Sequence, residues 1–170
     1  MTIEPLEELN RKWRQRYPGL AKLHFSDWVS WEERNTIPLI DKVGVYILAK
    51  YEPNDLPKSV NPLDRNVIYV GKTNIGKTTS IKNRLTAFDN AAFGSGKAHH
   101  AGGETYRERF KTDKGGIHVS ICPIYWLKDQ EYLSSEDSEN FVSMLVTRLE
   151  VCLRGVYVLR WGRLPQLNKE

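Results

Sequence analysis

Two triplets carry the residue types best suited to chemistry: Gly44-Val45-Tyr46 and Tyr69-Val70-Gly71. Each joins a tyrosine to a glycine in a short strand-like run. A phenol brings an ionisable hydroxyl on a rigid apolar ring. A glycine inside a strand marks a place where another group comes close. Side by side, two such strands would form a floor with two hydroxyls on one side. Two charges then stand where charge is unexpected. Arg84 follows Ile81 by three and precedes Phe88 by four, and Glu150 follows Val146 by four and precedes Leu153 by three. Both fall on or beside the apolar stripe of a predicted helix. A lone charge there is unfavourable unless paired or metal-bound. Arg84 and Glu150 could pair with each other or reach the rim of the core. Alternatively, Arg84 would hold a phosphate and Glu150 a hard cation such as magnesium, which keeps several waters and needs few protein ligands.

Gly71-Lys72-Thr73-Asn74-Ile75-Gly76-Lys77-Thr78 matches the GxxxxGK[ST] pattern, in which backbone amides cradle phosphates between a strand and a helix. A nucleotide-binding fold also needs a layered parallel sheet and a later strand ending in Asp. After Thr78 only one clear strand follows, and it leads into Trp126-Leu127-Lys128-Asp129. An NTPase is therefore the weaker reading, although this loop, with Lys77, could still hold a DNA phosphate. His99 and His100 lie beside Gly102-Gly103 in a predicted flexible loop. They could assist a proton transfer, touch phosphate, or be loop histidines without a role. His118 is expected to be a strand residue with none.

Lys and Arg number 25 against 21 Asp and Glu, and a net charge of +4 permits a polyanionic partner without requiring one. Arg107, Arg109, Lys111 and Lys114 cluster in one segment, and Arg148, Arg154, Arg160, Arg163 and Lys169 follow near the end. Both groups avoid the acidic stretches 1–9 and 129–139. The distribution fits a positive face for phosphates, or a solvated surface. The chain of 170 residues, 40% apolar and 27% charged, suits one folded domain. No apolar run is long enough to cross a bilayer. The N-terminus has no basic start and no apolar signal region, so the protein is read as cytoplasmic. Cys122 and Cys152 have no metal-ligand spacing and are expected to be free and buried.

The elements that must position these residues follow from periodicity and punctuation. A helix is predicted over residues 5–17, with Leu6, Leu9 and Trp13 at helical spacing, and Pro18-Gly19 ends it. A second short helix is expected from Ser26, its N-cap, through Glu33. Residues 1–38 thus read as an N-terminal helical extension to a domain over 39–170. Val43–Ala49 alternates as a strand, with Tyr46 and Leu48 on one face. Residues 52–66, rich in Pro, Asn and Asp, form a long loop before a second, antiparallel strand over Val67–Val70. Thr79 or Ser80 caps a helix to about Asn90, buried through Ile81, Leu85 and Phe88. A loop is expected over 94–103, then a short helix over Glu104–Lys111. A third strand is expected over Ile117–Trp126, with Pro123 indicating a sheet edge. A long helix is expected from about Ser134 to Leu153 or beyond, with Phe141, Val142, Leu145, Val146, Leu149 and Leu153 lining one side. The tail, Gly162 to Asn168, is irregular.

Taken in order, these residues resemble the GIY-YIG nuclease family. The match runs through Gly44-Val45-Tyr46, Tyr69-Val70-Gly71 with Lys72 directly after, Arg84 in the next helix, Glu150 in a later helix, and Asn168 in the ending Leu164-Pro165-x-Leu-Asn. It covers about residues 40–170. The resemblance implies an α+β sandwich, a small central antiparallel or mixed sheet flanked by helices. It also implies metal-dependent cleavage of DNA, expected to be double-stranded. Glu150 would bind Mg²⁺ or Mn²⁺, Arg84 and Lys72 would offset charge on the phosphate, Tyr46 would take a proton from the attacking water, Tyr69 would orient water or phosphate, and Asn168 would hold the hydrogen-bond geometry. Lys77, Arg107, Arg109, Lys111, Lys114 and Arg163 are the candidate DNA contacts. The chain departs from the family in two places. Residues 52–66 would be an insertion between the triplets, and Phe88 stands where some relatives carry His or Tyr, so a proton-transfer role there is lost or passes to His99 or His100. The competing reading is a nuclease-like module that grips DNA without cutting.

Overall fold

The computed structural model describes residues 4–73, 79–94, 99–127 and 135–169. Its order is α1 (Glu4–Arg16), β1 (Val29–Ser30), a 3-10 helix (Trp31–Thr36), β2 (Gly44–Lys50), β3 (Val67–Lys72), α2 (Ile81–Ala92), α3 (Ala101–Phe110), β4 (Ile117–Pro123) and α4 (Ser135–Trp161). The four strands form one sheet in the order β1-β4-β2-β3, every pair antiparallel. This is a mixed α+β fold, and among the described residues it has none of the parallel strands that a mononucleotide-binding sheet would need.

Side-chain alternation along β2 divides the core in two. Val45, Ile47 and Ala49 face one layer, where α4 lays down Val142, Leu145, Val146, Leu149 and Leu153 and α1 adds Leu6 and Trp13. Tyr46 and Leu48 face the other, closed by Ile81, Leu85 and Phe88 of α2, Tyr106 of α3 and Trp31. β2 pairs on both sides and is buried on both faces, so its residues have little room to shift. Ser80 caps α2, its side chain accepting from the Asn83 amide at 3.2 Å.

The N-terminal part departs from its expected form. Among the described residues up to 38, helix covers Glu4–Arg16 and Trp31–Thr36, and between them the chain joins the sheet. Ser26 does not cap a helix. Its amide donates to Ile121 O at 2.8 Å and its hydroxyl accepts from the Ile121 amide at 3.1 Å, because the open edge of β4 offers it backbone partners. β4 accordingly lies inside the sheet, not at its edge. Pro123 is tolerated because β1 pairs only with His118 and Val119 and does not reach it. The α3 helix begins at Ala101 rather than Glu104, which takes Gly102 and Gly103 out of the expected loop and into a helix. Of the two free cysteines, Cys122 is buried and Cys152 only half-buried.

β3 is the outer strand, and the C-terminal tail covers it. The Leu167 amide donates to Ile68 O at 2.8 Å. Asn168 then behaves as a strand partner: Oδ1 accepts from the Val70 amide at 2.9 Å and Nδ2 donates to Val70 O at 2.8 Å. Both bonds fall between Tyr69 and Gly71, so the asparagine fixes the backbone that carries the second tyrosine. Asn168→Ala is expected to lower the unfolding free energy by about 1–3 kcal/mol, through the loss of two part-buried bonds. The check is a lower denaturant midpoint at unchanged slope; an unchanged midpoint would remove the pin.

Candidate functional site

Tyr46 and Tyr69 lie on neighbouring strands with ring centroids 5.9 Å apart. Gly71 stands opposite Tyr46 in the β2–β3 register. A Cβ at Gly71 would fall 2.6 Å from Tyr46 Oη and 2.6 Å from Tyr69 Cε1, closer than any side chain can sit. The glycine of the second triplet therefore exists for a close approach: the first tyrosine's ring lies over it. Tyr46 is fully buried and Tyr69 half-buried, so Tyr69 is the outer phenol.

Burial pushes the Tyr46 hydroxyl well above the ordinary phenol range, the negative charge that Tyr69 would carry adds to this, and Arg84 opposes it. Tyr69 is also raised by burial. There Arg84 and contact with the Tyr46 hydroxyl act downward, the Glu150 carboxylate acts upward and Arg154 downward. Glu150 and Arg154 thus act on the outer phenol, while Arg84 acts on both. Arg84 Nε is buried without a hydrogen-bond partner, which leaves a donor pointing into this layer.

His100 is a departure. It is buried rather than loose: at the end of the segment before α3 it caps that helix, its Nδ1 accepting from the Gly103 amide at 3.2 Å, while Nε2 lies 2.9 Å from Tyr46 Oη. Its ring packs edge-on against Phe88 and Tyr69, at 5.3 and 5.7 Å. Burial, reinforced by Arg84, lowers it to about 4, so it is neutral near pH 7. Gly102 and Gly103 make this placement possible. A Cβ on Gly102 would lie 2.6 Å from Tyr69 Cε2, and one on Gly103 2.9 Å from Phe88 O. His99 instead points outward, its side chain 94% exposed and 4.0 Å from Glu104.

On α4, Glu150 is 7% exposed and pairs with Arg154 at 3.0 Å rather than with Arg84. Arg154 also donates to Lys169 O at 2.9 Å, tying the tail to the carboxylate. Arg154 was not among the expected site residues; its place four after Glu150 is the signal that could have found it. Lys72 points to the α4 side of the sheet and donates to Thr147 Oγ1 at 3.2 Å, one turn before Glu150. Among the described residues no group of three or more His, Cys, Asp or Glu gathers as a metal site. A cation here would have one carboxylate, and a phosphate and waters would complete its shell; magnesium accepts that ligand set.

The expected DNA contacts divide. Arg107 is half-buried and engaged within the fold: its guanidinium donates to the carbonyls of Asn90, Ala92 and Gly94 and so closes the C-terminus of α2. Lys114 lies over the Phe93 ring and 3.9 Å from both Glu32 and Asp89. Arg109, Lys111 and Arg163 are exposed. Lys77 lies outside the described residues, as does the Asn74–Thr78 part of the glycine-lysine loop. No described helix is long and apolar enough to cross a membrane.

Comparison of the chain with models of known families, with curated proteins and with solved structures finds no match.

Acid should act on the fold through His100. Unfolded, it takes a proton near pH 6.5; folded, it remains neutral down to about 4. Between those values the unfolded chain holds more protons, so stability falls as pH drops from 6.5 to about 4. At about 1.4 kcal/mol per pH unit the loss reaches about 3 kcal/mol. Asp113, held low by its bond with Lys50, also weakens the fold in acid, so the check is a comparison. His100→Gln should lose less stability than the wild type between neutral pH and pH 4.5; equal losses would rule out His100.

Proposed function

We infer that the chain is a metal-dependent endonuclease of the GIY-YIG type, hydrolysing phosphodiester bonds in DNA with Tyr46 of the tilted tyrosine pair as general base and Tyr69 as its partner. One observation carries the reading. Arg84 stands beside two phenols with a buried Nε that has no hydrogen-bond partner among the described residues, and the Glu150 carboxylate acts on the outer phenol of the same pair. A cation without a carboxylate partner among the described residues, next to hydroxyls, suits an incoming phosphate. It would offset the charge that grows on the phosphoryl oxygens as water attacks.

The division of labour follows from the residues. Arg84 holds and neutralises the phosphate. Lys72, reaching the Glu150 side of the sheet, adds positive charge near the leaving oxygen. The phenol pair accepts the proton that water loses. Glu150 would hold Mg²⁺ or Mn²⁺, which supplies positive charge to a phosphate oxygen when bound. Arg154 occupies that carboxylate now and would have to release it; its guanidinium then becomes available to the DNA backbone. Exposed Arg109, Lys111 and Arg163 are the remaining candidates for backbone contact.

Purified protein with Mg²⁺ or Mn²⁺ is expected to cut at least one member of a panel of duplex, branched and single-stranded DNAs. Glu150→Gln should reduce cutting by about 10²-fold or more while folding and DNA binding persist. Binding without cleavage across the panel would identify a non-cleaving DNA module instead. Full activity in Glu150→Gln would remove the carboxylate from the metal role.

A further inference from the structure

The long helix α4 is apolar on two sides. Its inward stripe fills the core. On the side turned to solvent, Met144, Val151 and Val158 are exposed and stand seven residues apart. Seven residues are two helical turns, so the three side chains fall on one line. Thr147 and Gly155 lie within about 40° of that line at about 100° per residue. Single exposed apolar residues are ordinary on a folded surface; a row at one spacing marks a face that another surface covers. Gly155 is the most informative member. A glycine inside a helix weakens it relative to alanine. Among the described residues, a Cβ at Gly155 would meet nothing within 4 Å, so the packing of the chain on itself does not call for glycine there. The missing side chain leaves room for a second backbone beside the helix.

Charge indicates what covers the row. The first turns of α4 carry Glu136, Asp137 and Glu139, and no Lys or Arg of the helix precedes Arg148; after Glu150 it carries Arg154 and Arg160 and no acid. A second α4 running the opposite way sets acid against base at both ends, whereas a parallel one sets like against like. The row is also symmetric about Val151, with Met144 and Val158 seven residues to either side and Thr147 and Gly155 four. We propose that this face of α4 binds a second copy of the chain, the two helices packing antiparallel about a two-fold axis at Val151. Met144 then meets Val158 of the partner subunit, Thr147 fills the space at Gly155 of the partner subunit, and Val151 meets its own copy. Such an interface is isologous and closes at two chains. From Met144 to Val158 the row is about 21 Å long, so the dimer is of the weak, concentration-dependent kind. One consequence rests on the nuclease reading above. Glu150 stands about 100° round the helix from Val151, and a two-fold axis normal to two side-by-side helices keeps both copies of it on the same side. Lys72, bonded to Thr147 Oγ1 at 3.2 Å, stands on that flank too. Two sites opening on one side face a single duplex, so the dimer cuts both strands where a single chain nicks one.

Mass and cross-linking of the full-length protein test the pairing. At about 100 µM, light scattering should approach twice the mass of one chain and fall toward one chain on dilution to about 1 µM. Val151→Lys sets two like charges face to face at the axis. It should remain a single chain at every concentration with an unchanged thermal midpoint, because the replaced side chain is exposed. In a Cys152→Ser background under oxidising conditions, Val151→Cys should form a disulfide with its own copy, and Met144→Cys should cross-link with Val158→Cys rather than with itself. A wild type that stays a single chain at about 100 µM would overturn the proposal. So would a dimer that survives Val151→Lys, or Met144→Cys cross-linking to itself as readily as to Val158→Cys, the mark of parallel helices. With Mg²⁺ and plasmid DNA, the wild type should give linear product and Val151→Lys chiefly nicked circles; equal linear yields refute the two-site consequence. If the wild type cuts no DNA, the nuclease reading fails, while mass and cross-links still decide the pairing.

Discussion

The close approach of the Tyr46 ring to the backbone at Gly71 is the constraint on which the other contacts around the site depend. β2 is paired on both sides and buried on both faces, so Tyr46 cannot tilt away from its neighbour strand. Only a residue without Cβ can sit opposite it. With the ring in that position, Tyr69 is displaced outward on the same face, and the space above both phenols is left to α2 and the start of α3. Backbone register, rather than side-chain freedom, therefore sets where the two hydroxyls stand.

Much of that space is buried, so polar groups within it gain from partnering one another. Phe88, Leu85 and Tyr106 surround it with apolar surface. Burial keeps both phenols protonated and His100 neutral, so Arg84 brings formal charge into a layer of neutral rings. The imidazole finds partners on both sides, accepting a helix amide on one nitrogen and facing a phenol with the other. Phe88 fills the position one turn after Arg84 with a ring that has no hydrogen-bonding atom, and His100 packs against that ring from another helix.

On the other side of the sheet, α4 combines two tasks. Its inward stripe fills the core, while Glu150 sits at the margin of that stripe beside β3. Arg154 links the carboxylate to the tail through Lys169 O, and the tail returns to β3 through Asn168. Whatever loosens the tail thus loosens both the strand bearing Tyr69 and the ion pair of the acidic residue.

Much of this was legible in the residues alone, for reasons of local physics. The alternation in β2 and β3, the stripes of α2 and α4 and the Ser80 cap depend on neighbours within a few positions, and the structure follows them. The glycines of the triplets also signalled close approach correctly, because a strand has no other use for a missing side chain. Ser26, Arg107, the start of α3 and the place of His100 did not follow, because each is set by a partner distant in sequence. Ser26 meets Ile121 across 95 residues and His100 meets Tyr46 across 54. Taken by itself, the sequence determined which residues could do chemistry and which strands and helices carry them. Only the tertiary structure decided which phenol faces outward, which histidine stands behind it and which arginine holds the acid, since those depend on how distant segments pack around the sheet.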